Sequence, residues 1–236
     1  MKAADYARVP LAPLLAGKTL KPGHVVCSQP PPLLLGKTKE SIVAGDPTLA
    51  MECKKEFSIV VAIQRANYGI GNAGGLPWPR CKEDLARFRA ITTSKEPKNV
   101  VIMGRRTYES LPTCHRPLPD RVNVVVTSNV VVGPHACVPT LNAALLEKSC
   151  EGTANIFVIG GSRLYEEALH HPACKRMYVT WFATDYPCDT FFPHIDKEWV
   201  AVTDPIQSNL CPFVTDPIQS TLCQFVVYER RPLVHS

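Results

Sequence analysis

Long apolar runs are scarce in this chain. No stretch approaches the roughly 20 residues of a membrane-spanning helix, and the greasiest early run, Leu33–Leu35, is three residues long. A membrane partner is therefore not expected. The N-terminus also lacks the apolar segment of a secretory signal. No Cys-x-x-Cys pair occurs among the ten cysteines, which argues against a thiolate zinc site, and no metal is expected. The cysteines are scattered singly along a chain too long to need covalent staples, so they read as thiols in a reducing compartment. Charge excess is small too: 26 basic against 21 acidic residues leaves +5. With no basic stripe interleaved with aromatics, nucleic acid is not a required partner.

What is present describes a soluble globular protein. The 236 residues are 45% hydrophobic and 20% charged, enough for one domain with a sizeable core. Residues 1–50 stand apart. They hold seven of the 22 prolines, and six basic residues precede Glu40 against one acid, Asp5. No period of 3.6 or 2 persists there, so the segment reads as an extended tail. A cytoplasmic location is expected. A mitochondrial leader is the alternative, although the Arg-rich helical face of one is weak.

The ordered domain, residues 55–236, is expected to open near Phe57. Phe57–Ile63 is a nearly continuous apolar run of the kind found in buried parallel strands. Similar runs occur at 99–103, 122–127, 156–159 and 177–181. Helical patterns lie between them: 83–91 with Leu85, Phe88 and Ile91 on one face, a short one at 107–111, 141–148 behind the N-cap Thr140, and 162–169. The alternation predicts an α/β domain with a central, mostly parallel twisted sheet flanked by helices. Residues 202–213 and 214–225 are tandem copies identical at ten of twelve positions. After them, Phe225–Glu229 is expected to return antiparallel at the sheet edge.

Three glycine-bearing junctions carry the chemistry. Gly69–Gly75 holds four glycines in seven residues, a mobile loop or a place of close ligand approach. Met103-Gly104-Arg105-Arg106-Thr107 and Ile159-Gly160-Gly161-Ser162-Arg163 are both strand, glycine, helix start. Helix-terminal amides and arginines at one end of a sheet suit a dinucleotide with several phosphates, although either alone is often only a tight turn. Asp84, early in the 83–91 helix, reads either as an ordinary acid at the positive helix end or as a partly buried carboxylate for a donor-rich heterocycle. Glu83 is its rival and should be more solvated. Arg121, at a strand start behind a rigid Arg-Pro-Leu-Pro turn, offers a fork for a carboxylate.

Taken in order, Leu76-Pro77-Trp78, Val101-Ile102-Met103-Gly104-Arg105-Arg106-Thr107, Arg116-Pro117-Leu118-Pro119-Asp120-Arg121, Ile159-Gly160-Gly161 and Asp189-Thr190-Phe191-Phe192-Pro193 closely resemble dihydrofolate reductase over residues 55–230. The last of these resembles eukaryotic members. The resemblance implies NADPH-dependent reduction of 7,8-dihydrofolate to 5,6,7,8-tetrahydrofolate, by hydride transfer to C6 and protonation at N5, with antifolates as ligands. It implies Asp84 as the acid gripping the pterin, Thr180 as its neighbour and Trp78 as the holder of an ordered water. Val61, Ala62, Leu85, Phe88, Leu111, Leu118 and Ile159 would line the substrate pocket. Arg121 would pair with the glutamate α-carboxylate. Toward the cofactor it implies Ala62, Ile70, Gly71, Gly75, Gly104, Arg105, Arg106, Thr107, Thr127, Ser128, Gly160, Gly161, Ser162, Arg163, Leu164 and Tyr165.

There are departures. Many members have arginine directly after the strand at 122–127, against the adenosine 2′-phosphate. Ser128 stands there, so selectivity would rest on Arg105 and Arg106. The tail and the duplicated 12-mer have no counterpart in short members. Some protozoan members carry an N-terminal extension and a fused thymidylate synthase. A monomer is expected, with a place in such a fusion left open. The alternatives are the related reductase of riboflavin synthesis and an inactive folate-binding relative.

Overall fold

Branched aliphatic side chains fill the centre of the molecule, and the sheet follows from them. The computed structural model describes residues 55–147, 150–202 and 223–231. The proline-rich stretch 1–50 and most of the duplicated segment lie outside the described residues. The chain runs β1 (Phe57–Gln64), β2 (Gly69–Gly71), α1 (Lys82–Thr92), β3 (Asn99–Gly104), α2 (Arg105–Ser110), β4 (Arg121–Val126) and β5 (Ala136–Val138). It continues through α3 (Leu141–Leu146), β6 (Ile156–Val158), α4 (Ser162–His170), β7 (Cys174–Phe182), β8 (Thr190–Phe191), β9 (Trp199–Val202) and β10 (Cys223–Arg230).

Eight strands form one sheet in the order β5-β4-β3-β6-β1-β7-β10-β9. Pairing is parallel from β5 through β7 and antiparallel from β7 to β10 to β9. The α/β reading therefore holds. One placement differs: β10 is not the edge strand, because β9 pairs along its outer side through Val227–Arg230. β9 is four residues long and runs directly into the repeat, so its apolar signal is hard to separate.

Strand alternation divides the core in two. Ile59, Val61 and Ile63 face a cluster with Leu141, Leu145, Leu164 and Leu169 of α3 and α4. Val60 faces the opposite cluster with Ile91, Met103, Tyr108 and Phe157. Thr140 caps α3, its hydroxyl accepting from Ala143 N at 3.1 Å. In α1 the buried residues are Asp84, Arg87, Ile91 and Thr92. The expected stripe of Leu85, Phe88 and Ile91 is thus rotated, and Leu85 is 38% exposed. Arg87 turns inward, and its guanidinium lies 4.6 Å from the Phe225 ring centre.

The glycine stretch 69–75 is not an open loop. Gly69–Gly71 pairs with Thr190–Phe191 as a two-stranded ribbon, and Asn72 and Gly75 exchange backbone hydrogen bonds at 3.0 Å. Ala73 and Gly74 turn the corner at φ 48° and 81°. The Ala73 N–H donates to Asp189 Oδ2 at 2.7 Å, and this bond, with the Thr190 hydroxyl, holds the Asp189 carboxyl below the usual carboxylate range. Gly69 is glycine because the segment leading into β8 comes close: a Cβ there would lie 2.7 Å from Cys188 Cβ. Gly69→Ala should therefore push the ribbon apart and destabilise the fold by about 1–3 kcal/mol. Urea denaturation of the variant beside the parent protein measures this, and coincident curves would refute the close-approach argument.

Candidate functional site

The site grows from unequal pairing around β1. β1 pairs with β7 along its whole length, to Gln64 opposite Phe182. With β6 it pairs only at Ser58 and Ile59. Beyond Ile59 the two strands part, and the chain leaves β6 through Ile159, Gly160 and Gly161. A crevice at the carboxyl ends of parallel strands is where open α/β sheets hold ligands.

One wall is α1. Asp84 is 9% exposed, and it hydrogen-bonds with the Thr180 side chain. Thr180 lies opposite Ala62 of β1. Burial raises the Asp84 pKa above the ordinary carboxylate value, opposed by the Thr180 hydrogen bond and the Arg87 charge. Glu83 is exposed, which separates the two candidates. Trp78 stacks on Phe182 at 4.2 Å and 15°, and its buried Nε1 has no acceptor among the described residues. Phe88, Leu111, Leu118 and Ile159 belong to one apolar cluster. Val61 does not, because the alternation of β1 turns its side chain to the α3/α4 face. Only its backbone remains for this side.

Arg121 is 5% exposed. Its Nε donates to Pro119 O at 2.9 Å and its Nη1 to Thr92 Oγ1 at 2.8 Å. The guanidinium carbon stands 5.7 Å from the Phe88 ring centre. Burial and then the nearby Arg89 charge lower its pKa to about 10, so it remains a cation at neutral pH. Asn123 was not singled out from the sequence, yet it builds this corner. Its side chain accepts from Leu118 N and donates to the carbonyls of Leu118 and Arg121. A lone asparagine inside Val122–Val126 was the available signal.

The other wall is glycine. Gly160 and Gly161 are joined by a cis peptide, with Gly160 at φ 126°. Gly104 N donates to Gly160 O at 2.7 Å. A Cβ on either Gly160 or Gly161 would crowd Thr107 Oγ1 at 3.3 Å. The first turns of α2 and α4 contain no acid, which leaves their amides without a competing negative charge.

Several expected cofactor contacts are otherwise engaged. Arg105 Nη1 donates to both carboxylate oxygens of Glu109 at 2.9 Å, whereas Arg106 and Arg163 are exposed. The Ser162 hydroxyl donates to Phe191 O at 2.5 Å. Leu164 is buried in the core, since α4 turns that face to the sheet. The Tyr165 hydroxyl donates to Val60 O at 2.9 Å and sits 3.4 Å from where a Gly160 Cβ would be. Burial, with the Asp84 charge adding to it, raises its pKa far above the phenol value. Ile70 and Gly71 lie in the β2–β8 ribbon and Gly75 closes its turn. Thr127 follows β4, where its N–H donates to Val138 O at 2.7 Å, and Ser128 beside it is exposed.

Comparison with known proteins agrees with this arrangement. The chain is 43% identical over 157 residues to a dihydrofolate reductase of Schistosoma mansoni, covering 63% of this chain and 83% of that protein. To the dihydrofolate reductase of Heliothis virescens it is 42% identical over 160 residues, 63% of this chain and 85% of that one. A bifunctional dihydrofolate reductase-thymidylate synthase of Daucus carota is 40% identical over 160 residues, 61% of this chain and 29% of that protein. The family model for dihydrofolate reductase matches residues 56–230, a span that takes in both walls of the crevice, and the chain belongs to that family.

Proposed function

We infer that the chain reduces 7,8-dihydrofolate to 5,6,7,8-tetrahydrofolate, with NADPH as the reductant. The observation that carries this reading is the buried Asp84 carboxyl held by Thr180 across a crevice from a diglycine. A carboxylate at that depth needs hydrogen-bond donors, and the 2-amino group and N3 of a pterin supply two in its plane.

Asp84 fixes the ring, and its negative charge favours added positive character on the heterocycle. Thr180 fixes Asp84. Trp78 Nε1 offers a donor to hold the water that delivers the proton to N5. Leu85, Phe88, Leu111, Leu118 and Ile159 exclude bulk solvent around the ring and the aminobenzoyl group. Arg121 receives the α-carboxylate of the glutamate tail, its fork already aimed by Thr92 and Pro119.

NADPH, when bound, supplies a hydride to C6. The residues present fit it. The bare backbone at Gly104, Gly160 and Gly161 leaves room that a side chain would take, and the first-turn amides of α2 and α4 suit its phosphates. Arg106 and Arg163 are the exposed cations beside those turns. Arg105 serves by turning away from Glu109. Preference for the 2′-phosphate is assigned to Arg106 first, since Ser128 offers no charge. Diaminopyrimidine antifolates such as trimethoprim, and methotrexate, would pair a protonated ring with Asp84.

Asp84→Asn should lower kcat/KM for dihydrofolate by about tenfold to a hundredfold, the worth of a charged hydrogen bond. NADPH oxidation followed by absorbance measures it, and equal rates would remove Asp84 from the site. The same variant has a stability signature. The folded pKa of Asp84 is raised, so the folded protein binds more protons than the unfolded chain above the ordinary carboxylate pKa. Stability therefore falls as pH rises through that window and stays lower above the folded pKa. Asp84→Asn should melt higher than the parent at pH 7, and the gap should close below pH of about 3.8. Arg121→Leu should raise the KM for dihydrofolate about tenfold or more and leave that for NADPH unchanged; an unchanged folate KM would refute the clamp.

A further inference from the structure

Asn123 is fully buried, in a strand whose other residues from Val122 to Val126 are all valine. A buried amide gives up its water and persists where other hydrogen bonds replace it. Here they all go to one turn. The side-chain Oδ1 accepts from Leu118 N at 2.8 Å. Nδ2 donates to Leu118 O at 2.9 Å and to Arg121 O at 3.0 Å. The main chain of Asn123 is held from the opposite side. Its N–H donates to His135 Nδ1 at 3.0 Å, and its carbonyl accepts from His135 N at 2.9 Å. The turn 118–121 is therefore tied to a side chain that cannot itself drift.

Both ends of that turn serve the crevice. Strand alternation puts Arg121, Asn123 and Val125 on one side of β4, and Val125 shares the apolar cluster of Leu118 and Phe88. Between them Asp120 takes a left-handed φ of 61°, and its carboxylate meets Arg89 of α1 at 3.7 Å. The hydrogen bonds of the Arg121 guanidinium among the described residues go to neutral acceptors, Pro119 O and Thr92 Oγ1. A buried guanidinium so held keeps its charge for an incoming carboxylate. Its place relative to Asp84 is fixed from two sides. Thr92 stands about 12 Å beyond Asp84 along α1 at the helical rise per residue, and Asn123 anchors the backbone of Arg121 on β4.

We propose that Asn123 is the positioning residue of the Arg121 clamp, and that by setting the fork at the span of an aminobenzoylglutamate tail it selects folates over pterins without a glutamate. The identity of the tail rests on the dihydrofolate reading. The control of Arg121 rests on the hydrogen bonds alone. Asn123→Ala leaves one buried N–H and two carbonyls without partners, and such groups are costly to leave unpaired. The turn then opens toward water, and Arg121 moves with it. The grip of Asp84 stands on α1 and β7 and shares none of these bonds.

The test compares two ligands that Asp84 would hold alike. Methotrexate carries the aminobenzoylglutamate tail, whereas trimethoprim has no carboxylate. Quenching of tryptophan fluorescence gives both Kd values for the parent, Asn123→Ala, Asn123→Ser, Arg121→Leu and the double variant of Asn123→Ala with Arg121→Leu. Asn123→Ala should weaken methotrexate about tenfold more than trimethoprim, the scale of loss expected from a misplaced contact. The KM for dihydrofolate should rise with it and that for NADPH should not. Asn123→Ser retains one hydroxyl and should fall between, which keeps the comparison open if the alanine variant does not fold. In the double variant, Asn123→Ala should cost methotrexate nothing beyond Arg121→Leu, because a residue acting through another is not additive with it. Equal weakening of the two ligands, an unchanged methotrexate Kd, or additive losses in the double variant would each overturn the proposal. A parent protein that binds both ligands without reducing dihydrofolate refutes the reaction, and the ratio of the two Kd values still decides the role of Asn123. A parent that binds neither overturns both.

Discussion

Carboxylates resist leaving water, and Asp84 has left most of it. The Thr180 side chain and the charge of Arg87 are what it receives in exchange, which does not restore an ordinary acidity. α1 starts where it does, and turns the face it does, so that this group reaches β7. Arg87 is buried against Phe225, and Leu85 stays 38% exposed. The helix gives up a better apolar stripe to place one acid, as functional sites commonly do.

The opening beside that acid comes from the sheet. β1 is the strand that keeps one neighbour and leaves the other. Its continued pairing with β7 holds Ala62 opposite Thr180. Its parting from β6 opens a gap beside the diglycine. The glycines at 104, 160 and 161 and Thr107 then fit together as one backbone corner, where a Cβ on Gly160 or Gly161 would crowd Thr107 Oγ1. Acid and corner are therefore set by neighbouring strands of one rigid layer rather than by separate loops.

Much of this was legible in the sequence. The strands at 57–63, 99–103 and 122–127 are runs of branched residues, and they fall where expected. Glu83 and Asp84 were separable by their offset from Phe88. Other features depended on partners distant in sequence. The 69–75 glycines read as a mobile loop or a place of close ligand approach, but Gly69 and Gly71 answer to Cys188 and Thr190. β5 and β9 are three and four residues long, too short for a period to declare itself. Arg105 reads as a phosphate ligand, and in the structure its partner is Glu109, one helical turn on. Asn123 passed as a polar break in an apolar strand because its three bonds close a turn of the preceding segment.

The double pairing of β10 bears on the duplicated 12-mer in a way that concerns copying rather than catalysis. Both copies end in Cys-x-Phe, and that of the second copy opens β10, so the first could in principle feed the sheet as well. Sliding the chain by one copy would put Val214–Ile218 where Val226–Arg230 now stand. Pro217 would then fall at the place of Glu229, which is paired with Arg176 on one side and Val200 on the other. A proline has no N–H for such an interior position, and the ion pair between Arg176 and Glu229 would be lost as well. The repeat thus carries its own stop against misregistration, and β10 is completed by the residues that follow the second copy.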